Sequence, residues 1–292
     1  MILTSLNYPG VSRVLREVEK VGYGKYIEFQ GSLPKDDSYL FGGWSPLYFR
    51  AIENIPSNAK VGVLWTSTLA QSEYSPVEME YLNIIRTLID RGRVNFIWVG
   101  DAGWLNYFNK AFYAPYPISI RDKFDVERSP SDVSLFGPLH PRKNVLNQLA
   151  AVKKADFTVH INGYDNRLLD FMNSFGVKYK LHSWMPEDEY YKTICSMKIG
   201  LQVSHCGIES FSYVFFDHLM MDTPCLTSVD WAPHSIMKVQ PDDIESMSNL
   251  MLDRLGVYKL EGNGEWRKHA IRIATERTET FKELVKANNL FQ

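Results

Sequence analysis

The sequence predicts an α/β protein of two domains, each built on a parallel sheet. Three observations lead to this class. Short apolar runs alternate with amphipathic helical patterns along most of the chain, the rhythm of strand–helix–strand crossovers. That rhythm breaks across residues 113–130 (YAPYPISIRDKFDVERSP), a proline-bearing, charged and poorly periodic stretch, and resumes directly after it. Residues 199–229 then read as a complete βαβ unit with a carboxylate at its carboxyl edge. The apolar run IGLQVS is followed by Glu209, an apolar helical stretch and a second apolar run from Pro224.

In the first half, residues 1–6 form an apolar opening strand, Asn7 to Gly10 a turn, and residues 11–21 an amphipathic helix. This is how a Rossmann-like domain begins. Further strands are expected at 26–29, 39–42, 61–65 and 94–99, with helices over 46–55 and 76–91. Ligands of such sheets bind at the carboxyl ends of the strands. Gly10, Ser67 and Asp101 stand there, with Thr66, Gln71 and Glu73 beside them. They are candidates to hold a polar ligand, although loop polarity explains them equally well.

In the second half, strands are expected at 131–136, 157–161, 177–181, 199–204 and 224–229. Helices are expected over 143–154 and 165–175, from Pro186 and its acids to about Met197, and from an N-cap at Ser210. Two more helices follow, at 244–255 and 266–288, the last long and charged. The domains are accordingly placed at residues 1–125 and 131–265, with residues 266–292 as a terminal helix packing back on the first domain.

Composition narrows the function classes. With 45% hydrophobic and 23% charged residues over 292 positions, the chain can bury the cores of two ordinary domains. A net charge of −2 and a pI near 6.4 give no global positive field to recruit nucleic acid or anionic membrane. The three cysteines, Cys195, Cys206 and Cys225, have no metal-ligand spacing and make no even disulfide set, which fits a reducing cytoplasm. No apolar run is long enough to span a bilayer, and the N-terminus lacks the features of a signal peptide.

Two stretches carry chemistry. Glu209 and Asp217 are eight residues apart, a little over two helical turns, so a continuous helix would set both on one side. One acid at the helix mouth and one further in could hold two separated hydroxyl-bearing groups. In the turn LFGPLHPRK, Arg142 and Lys143 stand at an expected helix N-terminus after a strand. Cations beside the positive end of a helix are unfavourable unless an anion is held there, and a diphosphate is an economical candidate. His140 and His205 lie in the same strand-end turns, whereas His182 and His218 read as packing or capping residues. No Cys/His cluster, Asp-x-Asp pair at a strand end or Gly-x-Ser-x-Gly elbow is present, so neither a metal nor a serine nucleophile is expected.

The run from Glu209 to Asp217, followed by Asp222, Thr223 and Pro224, resembles the acid-x7-acid motif and Gly-Thr-Pro turn of retaining GT-B glycosyltransferases, especially family 4. The second acid is usually Glu and the turn residue usually Gly. The segment from Gly137 to Lys143 resembles the family's Gly-Arg-Leu-x-x-x-Lys-Gly motif, with Pro138 where the family has Arg and Arg142 as a substitute cation. The order of parts from about residue 131 to 243 is also that of the family's C-terminal domain. The resemblance implies a GT-B fold with a cleft between two Rossmann-like domains and a C-terminal helix crossing back. It implies a retaining, metal-independent hexosyltransferase using a UDP- or GDP-sugar as substrate, with no cofactor. Glu209 would hold the sugar, and Lys143 would serve the leaving diphosphate. Arg142, Gly137, His140, Ser210, Phe211 and Ser212 would complete the donor site, with Asp217 at the ribose. Gly10, Ser67 and Asp101 would then meet a carbohydrate or other hydroxyl acceptor. Transfer to nucleic-acid bases, a non-catalytic nucleotide- or sugar-binding module, and an epimerase of the same architecture are the competing readings.

Overall fold

The computed structural model describes residues 1–73, 75–137, 141–205, 211–229, 237–252 and 264–290. The chain divides into two compact units, Met1–Ser119 with Ile273–Gln292, and Ile120–Arg272. Each contains one parallel sheet with helices, so the α/β class read from the alternating pattern is the observed one.

The first unit begins with β1 (Ile2–Ser5), α1 (Pro9–Lys20), β2 (Lys25–Glu28), β3 (Ser38–Gly42), α2 (Pro46–Asn54) and β4 (Lys60–Trp65). It continues through α3 (Leu69–Glu73), α4 (Pro76–Asp90), β5 (Phe96–Val99), a 3-10 turn at Ala102–Asn106 and β6 (Ala111–Tyr113). The strand order is β2-β1-β3-β4-β5-β6, every pair parallel. The central strands β1, β3 and β5 are buried along their whole length, which is why they read as apolar runs rather than as alternating ones. Proline opens α1, α2 and α4, where its missing N–H costs nothing. Ser45 caps α2 by accepting the Leu47 N–H at 3.3 Å.

Two local expectations are corrected here. Gly10 does not close a turn; α1 already starts at Pro9, placing Gly10 in its first helical turn. The stretch from Tyr113 is also not all linker. Tyr113 ends β6, in register with Val99, and Ile118 exchanges bonds with the Thr278 hydroxyl, both at 3.1 Å. Ser119 donates its N–H to the buried Glu17 at 2.7 Å. These bonds hold the segment against the first unit as far as Ser119. The long last helix, α10 (Glu265–Ala287), spans the second division between the units. In the first unit its Phe281 packs on Trp98, with ring centroids 5.1 Å apart. Both rings are fully buried, each worth about 1.5–3 kcal/mol of hydrophobic stabilisation.

The second unit contains β7 (Asp132–Leu135), a 3-10 turn at Pro141–Lys143, α5 (Val145–Ala155), β8 (Thr158–Asn162), α6 (Asn166–Phe175) and β9 (Lys178–His182). After these come α7 (Glu187–Ser196), β10 (Ile199–Gln202), α8 (Tyr213–Met220), β11 (Cys225–Thr227) and α9 (Ile244–Met251). Its sheet runs β11-β10-β7-β8-β9, again parallel throughout. The chain lays β8 and β9 on one side of β7, then returns to lay β10 and β11 on the other. The switch point therefore lies between β7 and β10.

One more correction bears on the site. The helix expected from Ser210 begins later, because Ser212 is the residue whose hydroxyl accepts a helical N–H, that of Phe215 at 3.3 Å. Residues 211 and 212 are not helical, and α8 runs from Tyr213 to Met220; Glu209, the other acid of the expected pair, lies outside the described residues.

Candidate functional site

In open α/β sheets the crevice at the switch point, beyond the carboxyl ends of the strands, is the ligand-binding position. In the second unit the segments there follow β7 and β10. Gly137 leaves β7 with φ +108°, a conformation that side chains other than glycine resist. Its N–H is donated to Asn162 Oδ1 at 2.8 Å, so the end of β8 fixes the turn.

Arg142 and Lys143 end the 3-10 turn that precedes α5. Asn144 then takes the left-handed region, φ 54°, which asparagine tolerates better than most residues. Its side-chain amide donates to the Pro241 carbonyl, to which Asn147 also donates at 3.0 Å. The key connection is Gln148, 1% exposed. Its Nε2 donates to the carbonyls of Lys143 (2.7 Å) and Asn144 (3.3 Å), and its Oε1 accepts the Val203 N–H at 3.0 Å. The N–H of His205 donates to the Arg142 carbonyl at 3.2 Å. The basic turn after β7 is thus stitched to the segment after β10 from both sides.

A second buried amide repeats the pattern. Gln202 donates to the Phe136 carbonyl at 2.9 Å, and its Oε1 lies 3.5 Å from the Ser212 hydroxyl at the mouth of α8. Phe211, 8% exposed, stands edge-on to Tyr213 at 5.0 Å. The structure therefore ties the turn of Arg142 and Lys143 to residues 203–205, and Phe136, beside Gly137, to Ser212 through Gln202. The expected site residues His140, Glu209 and Ser210 lie outside the described residues.

Asp217, 2% exposed on α8, accepts the Tyr190 hydroxyl at 3.0 Å on Oδ2 and the Tyr191 hydroxyl at 3.1 Å on Oδ1. Beside it His218 is fully buried, and burial pushes its imidazole down to about 4. A polar line also crosses the sheet. His160 Nε2 lies 3.2 Å from Asp132 Oδ2, and His182 Nε2 lies 3.0 Å from His160 Nδ1. Desolvation holds both imidazoles below the ordinary histidine range; Asp132 opposes it at His160, and Glu189 does so at His182. Among the described residues, no group of three or more His, Cys, Asp or Glu stands together as metal ligands.

Of the first-unit candidates, Ser67 and Asp101 already bond neighbouring segments of their own unit. The Ser67 hydroxyl donates to Glu78 at 3.0 Å, and Glu78 also accepts from Gln71 and Ser72. Asp101 accepts the N–H groups of Gly103 (2.9 Å) and Leu69 (3.2 Å). Gly10 faces open space, with nothing within 4 Å of where a Cβ would stand.

Sequence reading missed Gln148, Gln202, Asn162, Tyr190 and Tyr191. A signal for two of them exists: Asn162 and Gln202 are amides at the buried ends of their strands, and a buried side-chain amide must find a partner.

No protein-family model matches the chain, and no curated protein matches it in sequence. Solved structures do match in fold. HepE of Anabaena, in complex with UDP and glucose, superposes with a TM-score of 0.72 at 10% identity over 99% of both chains. An alpha-glucosyltransferase in complex with UDP and a 13-mer DNA containing a HMU base gives 0.68 at 12% identity over 98% of both. TarM of S. aureus, in complex with fondaparinux, alpha-GlcNAc-glycerol and UDP, gives 0.64 at 15% identity over 96% of this chain. The chain spans only 58% of TarM's length. Identities this low show the fold alone, and that fold is GT-B.

Proposed function

We propose that this chain is a glycosyltransferase that moves a hexose from a nucleoside-diphosphate sugar, UDP- or GDP-linked, to a hydroxyl acceptor with retention of configuration. The observation that carries the reading is the stitched switch point of the second unit. There Gln148 and the His205 amide tie a turn bearing two cations to the segment leading to a helix mouth. Cations and helix-end amides on one rigid edge suit a diphosphate, and the GT-B fold supports a nucleotide-sugar as its source.

In this reading Lys143 and Arg142 stabilise the charge that grows on the leaving diphosphate, together with the amides around Ser210, Phe211 and Ser212. Gly137 lets the backbone approach the donor, and His140, three positions on in sequence, is assigned to the donor with it. Glu209 holds the sugar hydroxyls, and the Asp217 side of α8 lies toward the ribose. These groups do the electrostatic work themselves, so no metal or cofactor is assigned. The acceptor attacks on the face that the diphosphate leaves, and the α linkage of the donor is kept. The alpha-GlcNAc-glycerol bound to TarM, and the DNA-bound neighbour's name as an alpha-glucosyltransferase, support an α linkage in the product. Gly10, Ser67 and Asp101 are assigned to the acceptor side. The site is assigned to the cytoplasm, consistent with buried free Cys195 and Cys225. Among the described residues, no helix is long and apolar enough to cross a membrane.

Transfer to a DNA base is the second reading, favoured by the DNA-bound neighbour. The net charge of −2 speaks against it. One experiment tests the proposal: incubation with UDP- and GDP-hexoses in excess EDTA, with the anomeric coupling of fresh product read by proton NMR. An α-linked product is expected. A β-linked product, or turnover that requires Mn²⁺, overturns the mechanism; donor binding with neither transfer nor hydrolysis leaves a binding module.

A further inference from the structure

Asp222 stands where glycine is the usual residue of the resembled turn, and its backbone has the conformation that glycine favours, with φ 59°. It follows the cap of α8. Its N–H donates to the Leu219 carbonyl at 2.9 Å, and the Thr223 N–H donates to the His218 carbonyl at 2.8 Å. This pair of bonds closes a helix through one left-handed residue. Glycine takes that conformation without steric strain, and aspartate does not. The turn itself needs no carboxylate, so the partners of Asp222 carry its significance.

Those partners come from both ends of the second unit, which the chain enters at Ile120 and leaves at Arg272. From the entering segment, Lys123 lies 3.2 Å from Asp222 Oδ2, and Arg128 donates to the Asp222 carbonyl at 2.9 Å. Next to it, the Ser129 N–H donates to the Ser196 carbonyl at the end of α7, at 2.8 Å. From the leaving segment, the Arg267 N–H donates to Asp222 Oδ1 at 3.4 Å, and its guanidinium donates to the Met220 carbonyl at 2.8 Å. Three cations thus gather at the carboxyl end of α8, the negative end of its dipole, and Arg267 takes a carbonyl that the helix leaves open. At the other end of α8, ~12 Å away by the rise of eight helical residues, stands Ser212.

We propose that Asp222 is a positioning residue that clamps the entering and leaving segments of the second unit to the far end of α8, so that a nucleoside diphosphate at the mouth of α8 is registered at residues 120–129 and 265–272. A short helix bonded at both ends is a rigid element of the kind that carries such coupling. The ligand half of this statement rests on the donor reading above, whereas the clamp does not.

The test is hydrogen exchange on the full chain, with Asp222→Gly and Asp222→Asn beside the wild type. Glycine keeps the left-handed turn and removes the carboxylate. Without nucleotide, Asp222→Gly should exchange about tenfold faster over 120–129 and 265–272, with β7, β8 and β10 unchanged. Asp222→Asn should fall between, because its amide oxygen still accepts the Arg267 N–H but offers Lys123 no charge. Added UDP or GDP should slow exchange in both segments of the wild type and not in Asp222→Gly. By the reciprocity of coupling, that variant should also bind the nucleotide about fivefold more weakly, although Asp222 does not touch it. Wild-type exchange in nucleotide-free Asp222→Gly overturns the clamp. Nucleotide binding that leaves both segments of the wild type unprotected, or protects them equally in Asp222→Gly, overturns the coupling while leaving the donor reading intact. Failure of the wild type to bind either nucleotide overturns the donor reading and the coupling with it, and the clamp is still decided by the nucleotide-free comparison.

Discussion

The Nε2 of His218 lies 2.6 Å from the hydroxyl of Ser134, and its Nδ1 lies 2.6 Å from the carbonyl oxygen of Val214. A carbonyl can only accept, so Nδ1 carries the ring proton and Nε2 accepts from the serine. Both nitrogens are used by a neutral ring in a fully buried place, and burial lowers its pKa from 6.5 to about 4. The unfolded chain therefore binds a proton that the native state refuses between these values. Stability from this residue is complete above about pH 6.5, falls as pH drops toward 4 and is flat below. The loss between pH 7 and pH 5 is on the order of 2 kcal/mol. Urea unfolding at the two pH values measures it. His218→Gln should be less stable at pH 7 and show a shallower dependence; an unchanged slope would refute the assignment.

The same ring covers a glycine. A Cβ on Gly200 would stand 2.3 Å from His218 Cδ2, closer than side chains ever approach. Gly200→Ala should cost about 1–3 kcal/mol through overpacking, read as a lowered melting temperature. Gly10→Ala is the contrast, since nothing lies within 4 Å of the new methyl and the residue is helical. That variant should be neutral to slightly stabilising, so any loss of transfer activity in it reports contact with an acceptor rather than misfolding.

Much of this architecture was legible because it is written in local chemistry. The buried strands β3, β4 and β10 announce themselves as apolar runs, and Pro46 and Pro76 open helices where their rings fit. The basic turn of Arg142 and Lys143 was legible for a similar reason, as charge placed against a helix dipole. β6 was not, because its three residues are defined only by pairing with β5. Nor were the crosslinks of the site. Gln148 reads as an ordinary helical residue, and its task depends on Val203, 55 positions away. The tyrosines on Asp217 are 27 and 26 positions distant. Helix onset was misread at Ser210 because two serines compete as caps, and only the bond to the Phe215 N–H selects Ser212.

Gln148 makes the next prediction. Replacing it with methionine keeps its volume and removes the bonds to Val203 N–H, Lys143 carbonyl and Asn144 carbonyl in a place 1% exposed. Leaving buried backbone groups unsatisfied costs about 1–3 kcal/mol. Because the lost bonds join the two segments of the site, affinity for UDP or GDP should fall along with stability. Calorimetry under conditions where the variant is fully folded separates the two effects. Wild-type affinity in the folded variant would mean that the crosslink is purely structural.

Lys143 should behave in the opposite way. Its backbone carbonyl anchors the Gln148 crosslink, and truncating the side chain leaves that carbonyl in place. Lys143→Ala should therefore keep the crosslink and lose less stability than Gln148→Met. The side chain stands at the end of the 3-10 turn before α5, where a cation gains nothing from the helix dipole. If it stabilises the departing diphosphate, its loss should cost about 2.7–4 kcal/mol in the transition state, a drop of 10²–10³ in kcat. Binding of the free nucleoside diphosphate should weaken as well, and Lys143→Arg should recover part of both by restoring the charge. Steady-state kinetics on the three proteins, beside one melting curve for each, reads every term. Wild-type turnover in Lys143→Ala would remove the cation from the mechanism and leave Arg142 as the group to examine.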